Sequence, residues 1–374
     1  MKIKILFIGH DANRAGAQLL LLWWQKLLLN EQNIEFETIL KHDGSLKKDY
    51  ESLGKVYLWP SNQPLPQKSR LKRALEIILP KDLDNELVEV LKFKKFDFII
   101  SNTLTNGDIL PKIAQLKVPI ISYVHELAMH LEMYTQKTDL QQALQLSSHF
   151  FVCAKVAAQS LVQNHQIEVS KTTWIPTPAR PKENPQKPKE EVLTELSFYK
   201  NQPVIGCIGS VNLRKGIDFF VYLAETLPHY NFVWVGGNRI DFMEIINLNS
   251  FPNNLRFVPN TNDVWSYLTL FDLYVQTARV EVFPLSVMEA FSVKIPVICF
   301  EEAGGTKEIV GEDAGFVIPQ LNINLMVEKI EFLLTNNSLK EKMGEVGYHK
   351  IMNDYRPENS VKLLINTLIS LKVK

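Results

Sequence analysis

Short apolar runs alternate with longer stretches of helical pattern along the chain. Phe96–Ser101 is apolar apart from Asp97 and the terminal Ser101, as expected for a strand buried on both faces of a parallel sheet. Ala17–Leu29 is a strongly apolar predicted helix, and Asn359–Leu371 an amphipathic one. The other predicted strands are Lys4–Ile8, Glu35–Leu40, Val56–Trp59, Val118–Tyr123, Phe150–Cys153, Val204–Ile208, Phe232–Val235, Leu255–Val258, Leu273–Gln276, Val297–Phe300 and Val317–Ile318. This alternation predicts an α/β fold with parallel sheets and right-handed crossovers.

A proline-rich stretch divides this pattern into two halves of similar size. Five prolines, with Lys and Glu between them, block both helix and central strand there; they are Pro176, Pro178, Pro181, Pro185 and Pro188. We therefore predict two doubly wound domains and a final helix, with the bounds 1–178 for the first domain, 179–190 for the linker, 191–355 for the second domain and 356–374 for the helix.

Composition narrows the classes of protein. The 374 residues are 46% hydrophobic and 22% charged, and the 41 basic residues balance the 41 acidic ones, which gives no reason to expect a nucleic-acid partner. The three cysteines are far apart in apolar surroundings, so we expect reduced, buried thiols in a cytosolic protein. No run is long enough to span a bilayer. Residues 64–81 are basic and amphipathic, which fits either a solvated surface helix or contact with an anionic membrane.

Two glutamates eight positions apart, Glu281 and Glu289, flank a predicted helix start at Pro284. Proline suits the first helical position, where its missing N–H costs nothing. Glu281 then precedes the helix and Glu289 lies more than one turn inside it. Two such acceptors can bind hydroxyl groups at separate points of one ligand, beside a helix N-terminus that favours anions. The alternative is an N-terminal acid and a solvated helical glutamate.

A second candidate follows the predicted strand Val204–Ile208. Gly209 and Ser210 are small enough to let the backbone approach a ligand, and Arg214 and Lys215 are predicted at the start of the next helix. A planar guanidinium beside an ammonium suits a diphosphate. The alternative is a solvated basic pair.

Weaker signals follow other strands. Gly304 and Gly305 open a predicted helix, where N–H groups can bind hydroxyls or phosphate, and an ordinary tight turn is the alternative. His125 directly follows a strand and is either a hydrogen-bond donor to a sugar or a structural histidine. The loop from Gly9 to Gly16 lacks the dinucleotide-binding spacing. Asp82 precedes a helical run, so capping explains the Asp-x-Asp at 82–84 better than a metal does.

As an ordered set, these second-half motifs resemble the retaining, nucleotide-sugar-dependent glycosyltransferases of family 4, also called group 1, with their Glu-x7-Glu motif. The resemblance implies the GT-B fold, in which two Rossmann-like, doubly wound parallel-sheet domains face a central cleft and the last helix packs back on the first domain. The chain departs from the family pattern at three places: Gln276-Thr277 replaces Pro-Ser, Val282 replaces a glycine, and Thr177-Pro178 replaces Asn-Gly.

The resemblance also implies roles. Arg214 and Lys215 would neutralise the donor diphosphate, Glu281 and His125 would contact the transferred sugar, and Glu289 would bind the ribose. Together these imply catalytic residues Glu281, His125, Arg214 and Lys215. The donor-binding set would be Gly209, Ser210, Arg214, Lys215, Val258, Glu281, Phe283, Pro284, Leu285, Glu289, Gly304 and Gly305, with Gly9, Gly16 and Asn102 on the acceptor side.

The implied activity is transfer of a hexosyl group, with retention and without a metal or other cofactor, from a nucleotide-diphosphate sugar to a glycan or lipid-linked acceptor in surface polysaccharide or glycolipid biosynthesis. Fixed cations would stabilise the leaving diphosphate. The expected location is cytosolic, with attachment to the inner face of the membrane left open. Three alternatives stay open: a non-catalytic nucleotide-sugar-binding protein, a sugar-nucleotide epimerase and a phosphorylase.

Overall fold

The structure is a computed structural model that describes residues 2–63, 82–198, 201–237 and 251–373. Its chain divides into two compact units. Unit 1 comprises Met1–Ile175 and Val361–Lys374, and unit 2 comprises Pro176–Ser360. Compared with the predicted bounds, unit 1 ends three residues earlier, and the proposed linker 179–190 falls inside unit 2.

Unit 1 contains a parallel sheet. In its described part, seven strands lie in the order β3-β2-β1-β4-β5-β6-β7. The order reverses between β1 and β4, and ligands of open α/β sheets bind at such a switch point, beyond the carboxyl ends of the strands. The strands are β1 (Ile3–Gly9), β2 (Ile34–Leu40), β3 (Val56–Leu58), β4 (Phe98–Ser101), β5 (Ile120–Val124), β6 (Ser147–Val152) and β7 (Thr172–Trp174).

Helices connect these strands. The buried leucines of Gly16–Leu28 explain its strongly apolar sequence, and that helix prediction is confirmed. The final predicted helix is also confirmed and is longer, Pro357–Val373; its part from Val361 onward belongs to unit 1, where Lys372 pairs with Asp97 at 2.6 Å. The other α-helices are Lys47–Leu53, Leu83–Lys92, Leu110–Ile113, Ala128–Tyr134, Lys137–Leu146 and Lys155–His165.

Strand β7 is absent from the sequence prediction. It has three residues, lies at the edge of the sheet and pairs only with β6 among the described strands. Its residues are partly or fully exposed, so it lacks the apolar run by which a buried strand is recognised.

Unit 2 contains the second parallel sheet. Six strands in its described part have the order β10-β9-β8-β11-β12-β13, and the order reverses between β8 and β11. The strands are β8 (Val204–Ile208), β9 (Asn231–Val235), β10 (Leu255–Val258), β11 (Leu273–Gln276), β12 (Val297–Phe300) and β13 (Gly315–Ile318). The α-helices are Lys189–Glu195, Ile217–Thr226, Val264–Leu268, Leu285–Ser292, Thr306–Val310, Ile323–Thr335 and Asn337–Asp354.

The proline-rich segment packs on unit 2. Near its start, the N–H of Ala179 donates to the carbonyl of Tyr355 at 2.8 Å. Near its end, the N–H of Lys187 donates to Ser266 Oγ at 2.9 Å. Proline density therefore identified an irregular segment, but this segment is fixed along unit 2 by backbone hydrogen bonds.

The cysteines and the possible membrane contacts were also predicted from the sequence. Cys153, Cys207 and Cys299 are all buried, as predicted, and none of the three forms a disulfide. The basic segment 64–81 lies outside the described residues. Within the ranges that the structure describes, no helix is both long and apolar enough to cross a membrane.

Candidate functional site

The loop after β8 holds the predicted basic pair. Arg214 and Lys215 lie in a 3-10 turn, Leu213–Lys215, that precedes the helix Ile217–Thr226 instead of forming its first turn. The prediction that they begin the helix is therefore wrong. Asn212 caps and stabilises this turn, because its Oδ1 accepts from the backbone N–H of Lys215 at 2.9 Å. The exposed Ser210 supports Asn212, whose Nδ2 donates to Ser210 Oγ at 2.9 Å.

Gly216 separates the turn from the helix. Its φ is +73°, and a Cβ there would lie 1.8 Å from the carbonyl oxygen of Thr277, so the position requires glycine. Thr277 also donates its hydroxyl to the carbonyl of Lys215 at 3.1 Å. The loops that follow β8 and β11 are thereby held against each other.

Glu281 lies beside the basic pair. Lys215 Nζ donates to Glu281 Oε2, and Arg214 Nη1 lies 3.7 Å from the same oxygen. Arg214 Nη1 also donates to the carbonyl of Val280 at 2.9 Å. The three charged side chains are mostly buried, so their mutual attraction is screened less than on an open surface. An ammonium has three donors and a guanidinium five, so these contacts leave further N–H groups for a ligand.

Arg279 fixes the backbone of this cluster, and the sequence patterns gave it no role. It donates to both carboxylate oxygens of Asp218, at 2.7 and 2.6 Å, and its guanidinium lies 4.0 Å from the ring centre of Phe219. The backbone N–H of Arg279 donates to the carbonyl of Arg214 at 2.8 Å. An arginine two positions before a glutamate has no special spacing, so only the folded structure reveals this contact.

Gly304 and Gly305 contact Glu281 through the backbone. The N–H of Glu281 donates to the carbonyl of Ala303 at 2.5 Å, and the N–H of Gly305 donates to the carbonyl of Glu281 at 3.0 Å. Gly304 has a φ of +112°, which glycine adopts without strain. The expectation that these N–H groups are available to a ligand is therefore wrong for Gly305, whose N–H is used to position Glu281.

The helix Leu285–Ser292 begins directly after Pro284, one residue later than predicted. Its N-cap position is Pro284, and no side chain caps it. N–H groups at such a start can receive an anionic ligand. The ring of Phe283 packs against Tyr355, with ring centres 5.4 Å apart, which fixes the approach to the helix.

Glu289 lies inside this helix and is buried, with 6% of the residue exposed. Arg180 Nη1 donates to its Oε1 at 2.8 Å. Burial raises the pKa of Glu289, whereas the charge of Arg180 lowers it and that of Glu183 raises it. The alternative of a solvated helical glutamate is thus wrong. Arg180 was not identified from the sequence, since 109 positions separate it from Glu289.

The carbonyl of Val258, at the end of β10, accepts from the N–H groups of Gly236 and Gly237 at 3.0 and 3.2 Å. Gly209 directly follows β8, and its carbonyl accepts from Trp234 Nε1 at 2.7 Å. Val258 and Gly209 therefore lie at the carboxyl ends of two strands of the same sheet, as their predicted positions require.

In unit 1, His125 follows β5 and Asn102 follows β4. His125 Nε2 lies 3.0 Å from Asn102 Oδ1, so Nε2 carries the proton in this hydrogen bond. Burial lowers the pKa of His125 to about 3, which makes the ring neutral at pH 7. Asn102 is itself fixed, because its Nδ2 donates to the carbonyl of Ala17 at 2.9 Å.

Glu126 is a buried acid that the sequence interpretation did not use. One carboxylate oxygen accepts from Thr103 Oγ1, and the other from the N–H of His125 at 3.0 Å. Burial raises the pKa of Glu126, and these hydrogen bonds oppose the rise. Glu126 thus ties the ends of β4 and β5 together beneath His125.

The remaining candidates, Gly9, Gly16 and Asp82, all belong to unit 1. Gly9 ends β1, where a Cβ would lie 2.9 Å from Leu40 Cδ2, and Gly16 begins the first helix with open space around it. The predicted cap at Asp82 is confirmed, since its side chain accepts from the N–H of Asn85 at 3.1 Å. Lys112 Nζ also binds Asp82 and Asp84 at 2.8 and 3.0 Å. Among the described residues, no group of three or more His, Cys, Asp or Glu side chains could hold a metal ion.

The two parallel-sheet units define an α/β fold of the GT-B class, and comparison with solved structures agrees. The chain aligns with Anabaena HepE, solved in complex with UDP and glucose, at a TM-score of 0.80 and 17% identity, over 98% of this chain and 100% of that one. It aligns with a Staphylococcus aureus TarM mutant, solved in a complex that contains UDP, at a TM-score of 0.72 and 16% identity, over 98% and 100% of the two chains. At these identities the likeness establishes the fold.

Sequence comparison gives a partial match to a family. Residues 188–350, less than half of the chain, match the model of the glycosyl transferases group 1. An uncharacterized glycosyltransferase of Haemophilus influenzae is 26% identical over 43% of this chain and 50% of its own length. The alpha-galactosylglucosyldiacylglycerol synthase of Streptococcus pneumoniae is 32% identical over 34% and 37%. The chain thus matches half or less of the length of these relatives.

Proposed function

We propose that this protein is a retaining glycosyltransferase of family 4 that transfers a hexosyl group from a nucleotide-diphosphate sugar to a glycan or lipid-linked acceptor. The cluster of Arg214, Lys215 and Glu281 is the observation that carries the proposal. It joins two cations and an acid at the carboxyl ends of β8 and β11, inside the region that matches the group 1 family model.

The cations act on the leaving group. When the bond between the sugar and the diphosphate breaks, negative charge grows on the diphosphate, and fixed N–H donors stabilise this charge where it forms. Arg214 and Lys215 are held by Val280 and Glu281, so little reorganisation is needed at that moment. We infer that these two side chains supply the charge that a divalent metal supplies in other transferases, and that no metal is required.

Glu281 and Glu289 bind separate parts of the donor in this proposal. Glu281, fixed through its backbone to Ala303 and Gly305, accepts from hydroxyls of the transferred sugar. Glu289 accepts from the ribose hydroxyls. The unit 1 residues His125 and Asn102 contribute neutral hydrogen-bonding groups, and Gly9 and Gly16 belong to the acceptor side. The name of the Streptococcus pneumoniae relative, a galactosylglucosyldiacylglycerol synthase, supports an acceptor in glycolipid synthesis, and the acceptor class that we propose also includes surface polysaccharide.

The test is transfer activity with a panel of nucleotide sugars and glycan or lipid acceptors. We expect Arg214→Ala and Glu289→Ala each to abolish transfer while circular dichroism shows a folded chain. Glu345→Ala is the matched control, because Glu345 forms an exposed pair with Lys294 at 2.6 Å in the same unit. If the double variant Arg214→Ala/Glu289→Ala kept normal transfer, the site assignment would be wrong. Donor interconversion without acceptor would instead identify an epimerase.

A further inference from the structure

Arg180 is a charged residue of unit 2 that contacts Glu289 but has no role in the mechanism proposed above. It lies in the irregular segment before the helix Lys189–Glu195, and it directly precedes Pro181. A residue before proline is restricted to extended backbone conformations. The preceding residue, Ala179, is buried and bonded to the carbonyl of Tyr355. The backbone of Arg180 is therefore fixed on both sides, and its side chain starts from a defined point.

The side chain of Arg180 reaches a buried acid in the site. Its Nη1 lies 2.8 Å from Glu289 Oε1, with 24% of the Arg180 side chain and 8% of the Glu289 side chain exposed. A second, longer contact of 3.4 Å joins Arg180 Nη2 to Glu183, which is well exposed. The contact with Glu289 is thus the shorter and more buried of the two.

A buried carboxylate without a partner is unfavourable and tends to take up a proton. Burial does raise the pKa of Glu289, and the positive charge of Arg180 opposes that rise. Because the contact is made through Oε1, it fixes the orientation of the carboxylate while Oε2 keeps its lone pairs for another donor. An arginine in this place orients the acid without covering both oxygens.

We propose that Arg180 is a positioning residue that holds the carboxylate of Glu289 oriented so that its second oxygen accepts a hydrogen bond from a ribose hydroxyl of the donor nucleotide. This inference rests on the proposed function, since it assumes that a ribonucleotide binds beside Glu289. It makes Arg180 a determinant of selectivity for ribose over sugars that lack the vicinal hydroxyls.

The experiment is calorimetric titration of the full chain with UDP, GDP, ADP and CDP, followed by the 2′,3′-dideoxy form of the nucleotide that binds best. Wild-type protein should bind the dideoxy form about tenfold or more weakly. Arg180→Met should weaken binding of the ribonucleotide by about tenfold or more and leave little discrimination between the two forms. Arg180→Lys should recover part of the discrimination, because it restores the charge without the planar fork.

Arg356→Met is the matched control, since Arg356 lies in the same unit and its exposed side chain makes a 3.9 Å contact with Glu358. If Arg180→Met fails to fold, the inference is tested by comparing the discrimination of Arg180→Lys between the two nucleotide forms with that of the wild type. The inference would be overturned if the folded Arg180 variants discriminated between the ribonucleotide and its dideoxy form as the wild type does. It would also be overturned if the variants bound the nucleotide more tightly, because Arg180 would then compete with the ligand. Either result would leave the proposed function standing. If the wild type bound none of the four nucleotides, the proposed function would fail as well.

Discussion

The residues that follow β8 and β11 in unit 2 differ in character from those that follow β4 and β5 in unit 1. In unit 2 the side chains form ion pairs, Lys215 and Arg214 with Glu281. In unit 1, a neutral His125 shares a hydrogen bond with Asn102. Two sheets of the same parallel type therefore present different chemistry at equivalent ends. Paired charges suit a charged diphosphate, whereas neutral donors and acceptors suit hydroxyl groups.

The largest effect should come from removing a charge in unit 2. Lys215→Met deletes an ammonium from the cluster, and we expect transfer to fall by about a hundredfold or more, because the loss of one preorganised donor to a developing anion costs about 3 kcal/mol. Lys294→Met is the control, since Lys294 pairs with Glu345 on an exposed surface. Equal activity of the two variants in a steady-state assay would remove Lys215 from the site.

The next largest effect should come from backbone geometry, which differs between Gly216 in unit 2 and Gly16 in unit 1. Gly216→Ala places a Cβ against the carbonyl of Thr277 at a φ of +73°, and we expect a loss of about 2 kcal/mol in the free energy of unfolding. Gly16→Ala in unit 1 meets no atom within 4 Å, so it should change the free energy by less than about 0.5 kcal/mol. Thermal unfolding of both variants tests this contrast. A similar loss in the two would contradict it.

A pH experiment tests whether the unit 1 histidine is neutral. The pKa of His125 is lowered to about 3 in the folded protein, whereas an unfolded histidine has a pKa of about 6.5. Between these values the unfolded state binds the extra proton, so stability should fall as pH falls, by up to about 1.4 kcal/mol per pH unit. His125→Gln removes this contribution.

Urea unfolding between pH 7 and pH 4 measures the effect. The wild type should lose stability more steeply than His125→Gln over that range. Parallel curves would show that His125 takes up its proton over the same pH range in the folded and unfolded protein, and the contrast between a charged unit 2 site and a neutral unit 1 site would then be lost.

The smallest expected effect concerns the contact between the loops that follow β8 and β11. Thr277→Val keeps the shape of the side chain and removes the hydroxyl that donates to the carbonyl of Lys215. We expect a loss of about 1 kcal/mol in the free energy of unfolding. The KM for the donor should rise more than kcat falls, because Lys215 is displaced rather than removed. An unchanged KM would show that this contact does not position Lys215.

The sequence predicted the parts of the fold that depend on local pattern. Apolar runs of four to six residues located the interior strands, because burial on both faces leaves a continuous apolar signal. Strand β7 lacks that signal because its residues are partly exposed at a sheet edge. Within the site, Glu281, Arg214 and Lys215 were recognised as separate candidates because each follows a predicted strand, and the resemblance to the family joined them into one site.

Arg180 and Arg279 could not be found in the same way. Arg180 bonds to Glu289 across 109 positions, and Arg279 to Asp218 across 61. Neither arginine follows a glycine-bearing turn or belongs to a spaced motif. The opposite case is Gly305, whose position the sequence predicted correctly but whose hydrogen bond it did not. The N–H of Gly305 donates to the carbonyl of Glu281 instead of a ligand. Hydrogen-bond direction depends on how loops meet in the folded chain.

The division of the chain has a consequence for synthesis. Unit 2 is one uninterrupted stretch, whereas unit 1 is interrupted by it and includes Val361–Lys374. Lys372 pairs with Asp97 and donates to the carbonyl of Lys2. Domains fold as units while the chain emerges from the ribosome. Every residue of unit 2 precedes Val361 in the chain, so unit 2 is synthesised before the second part of unit 1. The nascent chain therefore holds an incomplete unit 1 throughout the synthesis of unit 2, and the ion pair between Lys372 and Asp97 forms after unit 2 is complete.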